Sequence, residues 1–354
     1  MRSNPAEKQG DRSAPAPILA HASPQGKPRG ASLLAPAEGA RCGNRRHTGI
    51  IGGAAIRPSG RGDDKPISQS GEQEVTEAPS MALDVNLVRA ALTRFIREQI
   101  AEAGRRRAVL GLSGGLDSAV VCYLAAEALG PDQVLALTMP YATSAPESLA
   151  DALSVVSATG VRHEHFEVTP LVQPLIDRYP TMDRRRRGNA MARARMTVLY
   201  DQSEAFGGLV VGTSNKTETL LGYSTVHGDS ACALAPIADL YKTQVRQLAR
   251  RLGVPAAIID KAPSADLWPG QTDEADLGLS YDEADAILLL LLEERQSPAE
   301  VIARGFAEAK VQRVCDLCRR SYFKRRLPPV AAVSTCCVGR DIAPGTVPPH
   351  MDDQ

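Results

Sequence analysis

The stretch AVLGLSGGLDSAVVCYLAAEAL, residues 108–129, decides how this chain folds. It begins with a short continuous apolar run, AVLGL, of the kind that forms a buried strand. A turn rich in serine and glycine follows, and then an apolar segment from Ser118 to Leu129 that is long enough for a buried helix. A strand that passes through a tight turn into a helix is the first half of a βαβ unit. The stretch therefore predicts a parallel sheet.

Short apolar runs and helical patterns keep alternating toward the C-terminus. Three more strands are predicted, at residues 134–139, 161–168 and 208–213, with helices at 147–160 and 189–205. Strands that alternate with helices in this way predict a doubly wound, Rossmann-like α/β fold whose parallel sheet is flanked by helices. Such sheets bind ligands at the carboxyl ends of their strands.

The C-terminal part of the chain is predicted to be mostly helical from Asp239 onward. Ser280 with Glu283, and Ser297 with Glu300, have the spacing of capping boxes, in which each side chain bonds to the other residue's backbone N–H. These two pairs mark the start of two helices.

The two ends of the chain differ in composition from the middle. Residues 1–80 contain no Phe, Tyr or Trp and are rich in Pro, Gly, Ser, Ala and Arg, so we predict a disordered N-terminal extension. Order is predicted to begin near Met81, where Asp84 can cap an amphipathic helix. Residues 330–354 are predicted to be a disordered tail, which leaves residues 81–329 as the functional domain.

The charge balance excludes some classes of partner. Lys plus Arg and Asp plus Glu number 41 each, which gives no general attraction to nucleic acid or to an anionic membrane. No apolar run approaches the roughly 20 residues that span a bilayer. The seven cysteines are irregularly spaced, which is typical of reduced thiols. We therefore expect a cytoplasmic protein that binds neither nucleic acid nor membrane.

The turn after the first strand has the composition of a phosphate-binding loop but lacks its usual cation. Most such loops read G-x-x-x-x-G-K-[ST], and their lysine reaches the phosphates. Here the backbone N–H groups of residues 113–118 and the hydroxyls of Ser113 and Ser118 can cradle a pyrophosphate. Asp117 would repel that anion unless Mg²⁺ lay between them. The turn therefore predicts a nucleotide phosphate bound together with Mg²⁺.

The pattern S-G-G-x-D-S after a strand resembles the signature of the ATP pyrophosphatases, a superfamily with the adenine nucleotide alpha hydrolase-like fold. Further stretches resemble its ammonia-dependent NAD synthetase family, over about Leu87 to Pro329. These stretches are GNAMARARM at 188–196, GTSNKTETLLGYSTVHGDSACALAPIADLYKTQVRQLA at 212–249, KAPSADLWPGQTDEADLGLSYDEAD at 261–285 and FKRRLPP at 323–329.

The resemblance implies a reaction. The family joins ATP, deamido-NAD and ammonia to give NAD, AMP and pyrophosphate through an adenylated nicotinate, and its members are usually homodimers. The family's chemistry depends on positioning and charge stabilisation rather than on a covalent nucleophile. We expect free ammonia as the nitrogen source, with a separate glutaminase partner possible but not indicated.

The resemblance also implies roles for particular residues. Asp117 and Lys242 would be catalytic, and Asp117 with Glu218 would hold Mg²⁺. Four residues would bind deamido-NAD: Arg193, Asp229, Phe323 and Lys324. Eleven residues would bind ATP: Gly111, Leu112, Ser113, Gly114, Gly115, Leu116, Asp117, Ser118, Thr213, Lys242 and Ser264.

Two expected deamido-NAD contacts depart from the family pattern, and a third position beside them differs as well. Some members carry a lysine and an aspartate that contact deamido-NAD where this chain has Val226 and Ala233. His227 replaces an aromatic residue there and is interpreted as a packing or dinucleotide-facing side chain rather than a general base.

Two other functions remain open from the sequence. Another adenylating enzyme of the superfamily, such as a GMP synthetase or a tRNA-thiolating enzyme, would keep the same loop. A non-catalytic nucleotide sensor would also keep the loop but would be expected to lose Asp117, Glu218 or Lys242, all of which are present.

Three remaining features are given structural interpretations. The arginine run at residues 184–187 could steer the anionic dinucleotide or mark a partner site, but the favoured interpretation is a solvated loop. Cys315 and Cys318 form a C-x-x-C inside a predicted helix with no histidine nearby, which does not favour zinc. Trp268 is interpreted as a loop anchor near the nucleotide.

Overall fold

The computed structural model describes residues 81–268, 270–333 and 337. The predicted N-terminal extension, residues 1–80, lies outside the described residues. So does most of the predicted tail at 330–354.

Four parallel strands form one sheet in the order β3-β2-β1-β4. The strands are β1 (Arg107–Gly111), β2 (Val134–Thr138), β3 (Arg162–His165) and β4 (Gly208–Val210). In the register, Leu110 lies opposite Ala136, and Val109 lies opposite Val210. The chain runs outward from β1 to β3 and then returns to place β4 on the other side of β1. This reversal of strand order confirms the predicted doubly wound fold and marks the crevice where such sheets bind ligands.

Helices cover both faces of the sheet. Ala108 and Leu110 of β1 pack into one apolar cluster, and Val109 between them packs into another. The first cluster includes residues of five helices: α1 (Val85–Glu102), α2 (Leu116–Leu129), α3 (Pro146–Thr159), α7 (Lys242–Leu252) and α8 (Ala256–Ile259). The second includes residues of α4 (Thr169–Arg178) and α5 (Arg184–Phe206). Because successive strand residues point to opposite faces, the near-continuous apolar runs of β1 and β2 reflect burial on both sides.

Six α-helices besides α7 follow β4 in the described part of the chain, and all of them except α8 contribute to a third cluster away from the sheet. Their ranges are α6 (Lys216–Leu221), α8 (Ala256–Ile259), α9 (Asp273–Leu277), α10 (Tyr281–Leu292), α11 (Pro298–Ala303) and α12 (Glu308–Arg320). The third cluster joins α10, α11 and α12 to Leu221 of α6 and to Tyr241. Cys315 and Cys318 of α12 pack against it. Among the described residues, no helix has the length and apolarity that a bilayer crossing requires.

The predicted helix caps are confirmed. Asp84 accepts hydrogen bonds from the backbone nitrogens of Asn86 and Leu87 at 3.2 and 3.0 Å. Both predicted capping boxes form at the starts of α10 and α11.

Three predictions about the elements are wrong in detail, and one helix was missed. The arginine run at 184–187 is the first turn of α5, because Asp183 caps the helix by accepting a 2.8 Å bond from the Arg186 nitrogen. Helix α4 was not predicted. Strand β3 covers only 162–165, and its residues are largely exposed since it lies at the sheet edge. Strand β4 ends at Val210 rather than at residue 213.

Candidate active site

The predicted phosphate loop lies between the carboxyl end of β1 and the start of α2. Gly115 is the N-cap of α2, so the first backbone N–H groups of that helix have no partner within it. The hydroxyls of Ser113 and Ser118 lie 3.1 Å apart. Ser113 Oγ accepts from the Gly115 nitrogen, and Ser118 Oγ donates to the Gly115 carbonyl. These bonds fix the loop as a concave array of donors at the positive end of a helix dipole.

Gly114 cannot be replaced by a larger residue without moving the backbone. Its φ of +80° lies in the left-handed region. A Cβ atom there would also collide with the Ser148 carbonyl in α3. The glycine therefore permits both the turn and its close approach to α3.

A buried cluster of opposite charges lies beside this loop. Lys242 Nζ donates to Asp117 Oδ2 and, at 3.1 Å, to Glu218 Oε1. The lysine side chain is only 4% exposed, and the Asp117 and Glu218 side chains are 15% and 14% exposed. Asn215 also donates to Asp117 Oδ1 at 3.2 Å. The three ionisable residues predicted to handle ATP and Mg²⁺ are thus in direct contact.

Two residues of α9 and α10 complete the cluster. The Tyr281 hydroxyl donates to Asp273 Oδ2 at 3.1 Å and lies 3.4 Å from Glu218 Oε1. Lys242 Nζ lies 4.9 Å from the centroid of the Tyr281 ring, within the range of a cation–π contact. Asp273 Oδ1 is buried without a hydrogen-bond partner among the described residues.

The electrostatics of the cluster favour an added cation. Burial raises the pKa of Glu218, Lys242 opposes this and Asp117 adds to it, so that the net pKa is about 7. Burial also raises the pKa of Asp273. Burial lowers the pKa of Lys242, but Asp117 and Glu218 outweigh this effect and the net change is upward. One ammonium group faces three carboxyl groups, so negative charge is in excess.

Asp285 of α10 is fully buried and supports the charged cluster through hydrogen bonds to two threonines. It accepts from the Thr217 hydroxyl with one oxygen and from the Thr243 nitrogen and hydroxyl, both at 2.8 Å, with the other. Thr217 precedes Glu218, and Thr243 follows Lys242. Asp285 therefore fixes the backbone on which two of the charged side chains stand.

A cavity of about 1250 Å³ opens at the carboxyl ends of the strands. Most of the predicted site residues line it, and they are Gly111, Leu112, Ser113, Gly115, Leu116, Asp117, Ser118, Thr213, Glu218, Asp229, Lys242, Ser264 and Lys324. Trp268 lines it as well. The position agrees with the ligand crevice of a doubly wound sheet.

Three predicted residues lie elsewhere. Gly114 is packed behind the loop against α3. Arg193 is exposed and donates to the Val226 carbonyl at 3.3 Å, outside the cavity lining. Phe323 is 63% exposed and also lies outside the lining, although the adjacent Lys324 lines it and donates to the carbonyls of residues 222 and 224.

The two departures from the family pattern have different surroundings. The Val226 backbone carbonyl accepts a hydrogen bond from Arg193. The Ala233 nitrogen donates to the Val210 carbonyl at 2.9 Å, so the residue extends the edge of the sheet.

Sequence reasoning missed four residues of the charged cluster and its support: Asn215, Asp273, Tyr281 and Asp285. The capping box at Ser280 marks the start of α10 and so fixes which residues share a face of that helix. It gives no indication that this face meets α6 and α7.

Fold and cavity together define a nucleotide-binding α/β protein of the adenine nucleotide alpha hydrolase type. Residues 88–328 match the NAD synthase family, and the chain belongs to that family.

Named relatives agree with this assignment. The chain is 52% identical over 259 residues to the NH(3)-dependent NAD(+) synthetase of Trichlorobacter lovleyi, covering 73% of this chain and 95% of the relative. It is also 52% identical to the enzyme of that name from Chlorobaculum parvum, covering 75% and 96%.

Solved structures show the same fold. NMN synthetase from Francisella tularensis aligns with a TM-score of 0.64 at 31% identity, covering 71% of this chain and all of that one. NH3-dependent NAD synthetase from Campylobacter jejuni, in complex with nitrate, aligns with a TM-score of 0.61 at 31% identity and the same coverage. Family membership excludes the GMP synthetase and tRNA-thiolating alternatives.

Proposed function

We propose that this chain is an ammonia-dependent NAD synthetase, which converts ATP, deamido-NAD and ammonia into NAD, AMP and pyrophosphate. The observation that carries the proposal is the contact of Lys242 with Asp117 and Glu218 beside the serine–glycine loop, at the carboxyl ends of the strands. Relatives of the same function, about half identical over nearly their whole length, support it.

In the first step, a nicotinate carboxylate oxygen attacks the α-phosphorus of ATP. The bond from that phosphorus to the oxygen that bridges the α- and β-phosphates breaks, and this oxygen leaves as part of pyrophosphate. The loop and the N-terminus of α2 would hold the departing pyrophosphate. Lys242 would stabilise the charge that develops on the phosphoryl oxygens, an effect that is large in a site excluded from water.

In the second step, ammonia attacks the acyl carbon of the adenylate. The bond from the carbon to the AMP oxygen breaks, AMP leaves, and the nitrogen loses a proton to give the amide. The chain's part in both steps is to position the reactants and to stabilise charge.

The charged cluster fits Mg²⁺. Excess negative charge and the partnerless Asp273 Oδ1 both favour a cation. No three metal-binding side chains in the described part of the chain could hold a metal by themselves. Mg²⁺ usually takes one or two carboxylates together with substrate phosphates. Asp117 and Glu218 would supply the carboxylates, and the ion would neutralise charge on the nucleotide phosphates.

Two copies of the chain are proposed to complete the dinucleotide site. Support comes from Arg193 and Phe323, which are exposed and lie outside the cavity although the resemblance assigns them to deamido-NAD. Equilibrium sedimentation tests this point, and a monomer at enzyme concentrations that support turnover would contradict it. We also propose that free ammonia is the nitrogen source and that the protein is located in the cytoplasm.

A mononucleotide acid is the second candidate substrate. Val226 and Ala233 lack the side chains expected to contact deamido-NAD, and one structural neighbour is an NMN synthetase. A shorter acid would need fewer of those contacts.

The test is an assay of the purified full chain with ATP, Mg²⁺ and ammonium. Three acceptors are compared: deamido-NAD, nicotinate mononucleotide and none. We expect pyrophosphate release and NAD formation with deamido-NAD, at a higher kcat/KM than with the mononucleotide. Replacement of ammonium by glutamine should give little product. Silence with both acids would contradict the proposal, and a preference for the mononucleotide would favour the second candidate.

A further inference from the structure

Helix α5 carries two arginines that project from different sides of the helix. Arg193 and Arg195 are two residues apart, so their side chains leave the helix in directions about 200° apart. Arg193 faces outward to the Val226 carbonyl. Arg195 lines the cavity. The structure thus brings to the site an arginine other than the one that the sequence motif indicated.

One nitrogen of Arg195 is anchored to the backbone. Its Nε donates to the Met139 carbonyl at 2.9 Å. Met139 directly follows β2 and lies against the end of β1, since a Cβ at Gly111 would be 3.3 Å from Met139 Cε. The two terminal nitrogens of Arg195 have no hydrogen-bond acceptor among the residues that the structure describes. The guanidinium is therefore fixed at the carboxyl ends of the same strands as the phosphate loop. Its two terminal nitrogens remain available to donate to a ligand.

The nearby acids are occupied by other partners. Asp229 accepts from the Thr225 nitrogen at 2.8 Å, and Asp266 accepts from the Ala145 nitrogen at 3.1 Å. Both acids line the cavity, but neither forms an ion pair with Arg195 in the described part of the chain.

A partly buried cation without an anion is unfavourable. Burial lowers the pKa of Arg195, and the attraction of Asp266 and Asp229 only partly opposes this. Arginine nevertheless stays charged in proteins. Removing such a charge from water without a partner costs free energy, so the site favours an incoming anion. The paired N–H groups of a guanidinium match the two oxygens of a carboxylate or a phosphate.

We propose that Arg195 binds an oxyanion of the reactants through its two terminal nitrogens, and so is a substrate-binding residue of the cavity. This inference rests on the proposed function for the identity of the reactants. The oxyanion is either the nicotinate carboxylate or a phosphate group, because both present paired oxygens to the fork.

The experiment compares Arg195→Met and Arg195→Lys with matched substitutions at Arg187. Arg187 lies on the same helix, and its Nε also donates to a backbone carbonyl, that of Met182, at 3.0 Å. It lies outside the cavity lining. Calorimetry measures the affinity of each folded variant for a non-hydrolysable ATP analogue, for deamido-NAD and for NAD. Thermal melting confirms folding.

We expect Arg195→Met to weaken one ligand about 10- to 100-fold, the range for a lost hydrogen bond to a charged group. Arg195→Lys should recover part of this loss, because it keeps the charge but not the fork. Both Arg187 variants should bind like the wild type.

The three ligands distinguish the sources of the oxyanion. A loss for deamido-NAD but not for NAD, which carries an amide in place of the carboxylate, assigns the nicotinate carboxylate. An equal loss for both dinucleotides assigns their phosphates, and a loss for the ATP analogue assigns the nucleotide phosphates. If a folded Arg195→Met binds all three ligands as Arg187→Met does, the inference is wrong. Failure of the wild-type chain to form NAD would instead overturn the proposed function, and the binding measurements would still test Arg195.

Discussion

The loop at residues 111–118 and the helix α10 contribute to the same site in contrasting ways. The loop and the first turn of α2 present their groups within eight consecutive residues, and Asp117 lies in that first turn. Helix α10 has no exposed group in the charged cluster, yet Tyr281 and Asp285 hold that cluster from its buried side. The chemistry of the site is thus local in sequence, whereas its geometry depends on residues far along the chain. Substitution of Asp117 should therefore affect turnover more than stability, and substitution of Asp285 should affect both.

Asp117→Ala should give the largest effect on activity. It removes the carboxylate that contacts Lys242 and would contact Mg²⁺, so we expect loss of NAD formation by about a thousandfold or more. Because Lys242 keeps its contact with Glu218, the change in melting temperature should be small beside the loss of activity. Turnover close to that of the wild type, measured by NAD formation, would falsify the assignment of Asp117.

Asp285→Ala should give the largest effect on stability. It leaves the buried groups of Thr217 and Thr243 without their acceptor, at a cost of about 3 kcal/mol in the free energy of unfolding. Activity should fall too, because Glu218 and Lys242 adjoin those threonines. Urea unfolding measures the first effect and kcat/KM the second.

Asp282→Ala is the matched control on the same helix. Asp282 is 74% exposed in its side chain and pairs with Arg246 at the surface. Its removal should change stability by less than about 1 kcal/mol. Equal effects at positions 282 and 285 would remove the basis for a supporting role of α10.

Tyr281→Phe should give a smaller effect, confined to the cluster. It removes the hydroxyl that donates to Asp273, so we expect about 1 to 3 kcal/mol of lost stability. The Mg²⁺ concentration for half-maximal activity should also change, because Glu218 and Asp273 lose a hydrogen-bond donor. Tyr322→Phe, at an exposed tyrosine, should change neither measurement.

Ser297→Ala should give the smallest effect and should leave activity intact. It removes the cap of α11, which costs about 1 kcal/mol. Differential scanning calorimetry would detect the shift in melting temperature. A fall in kcat/KM at a temperature where the variant is still fully folded would show that α11 also influences the cavity.

The sequence predicts those parts of the fold whose signals are local. β1, β2 and the caps at Ser280 and Ser297 follow from periodicity and spacing over a few residues. Helix α4 was missed because Pro174 lies inside it and Leu171 and Leu175 are exposed, which obscures the expected pattern.

Charge runs are a second source of error. Four successive arginines are typical of a solvated loop, but Asp183 caps them into the first turn of α5. Arginine is itself a good helix former, so an N-cap is enough to place the run in a helix.

The residues of the candidate site also divide into those with a local sequence signal and those without one. Asp117, Glu218 and Lys242 were expected together from the family resemblance, and the structure brings them into contact. Asp285 lies 68 residues beyond Thr217, and no local pattern links the two. Arg195 was missed because the motif around it contains two arginines, and only the orientation of α5 shows which one lines the cavity.

The hydroxyls of Ser113 and Ser118 bond to each other and to Gly115 within the loop. Folding has therefore already met the entropic cost of ordering these donors, before any anion arrives. Because these internal bonds are exchanged for bonds to the anion, the net enthalpic gain from each serine should be modest. Discrimination among anions should then depend mainly on preorganised shape, so tetrahedral phosphates should be preferred over planar anions of equal charge.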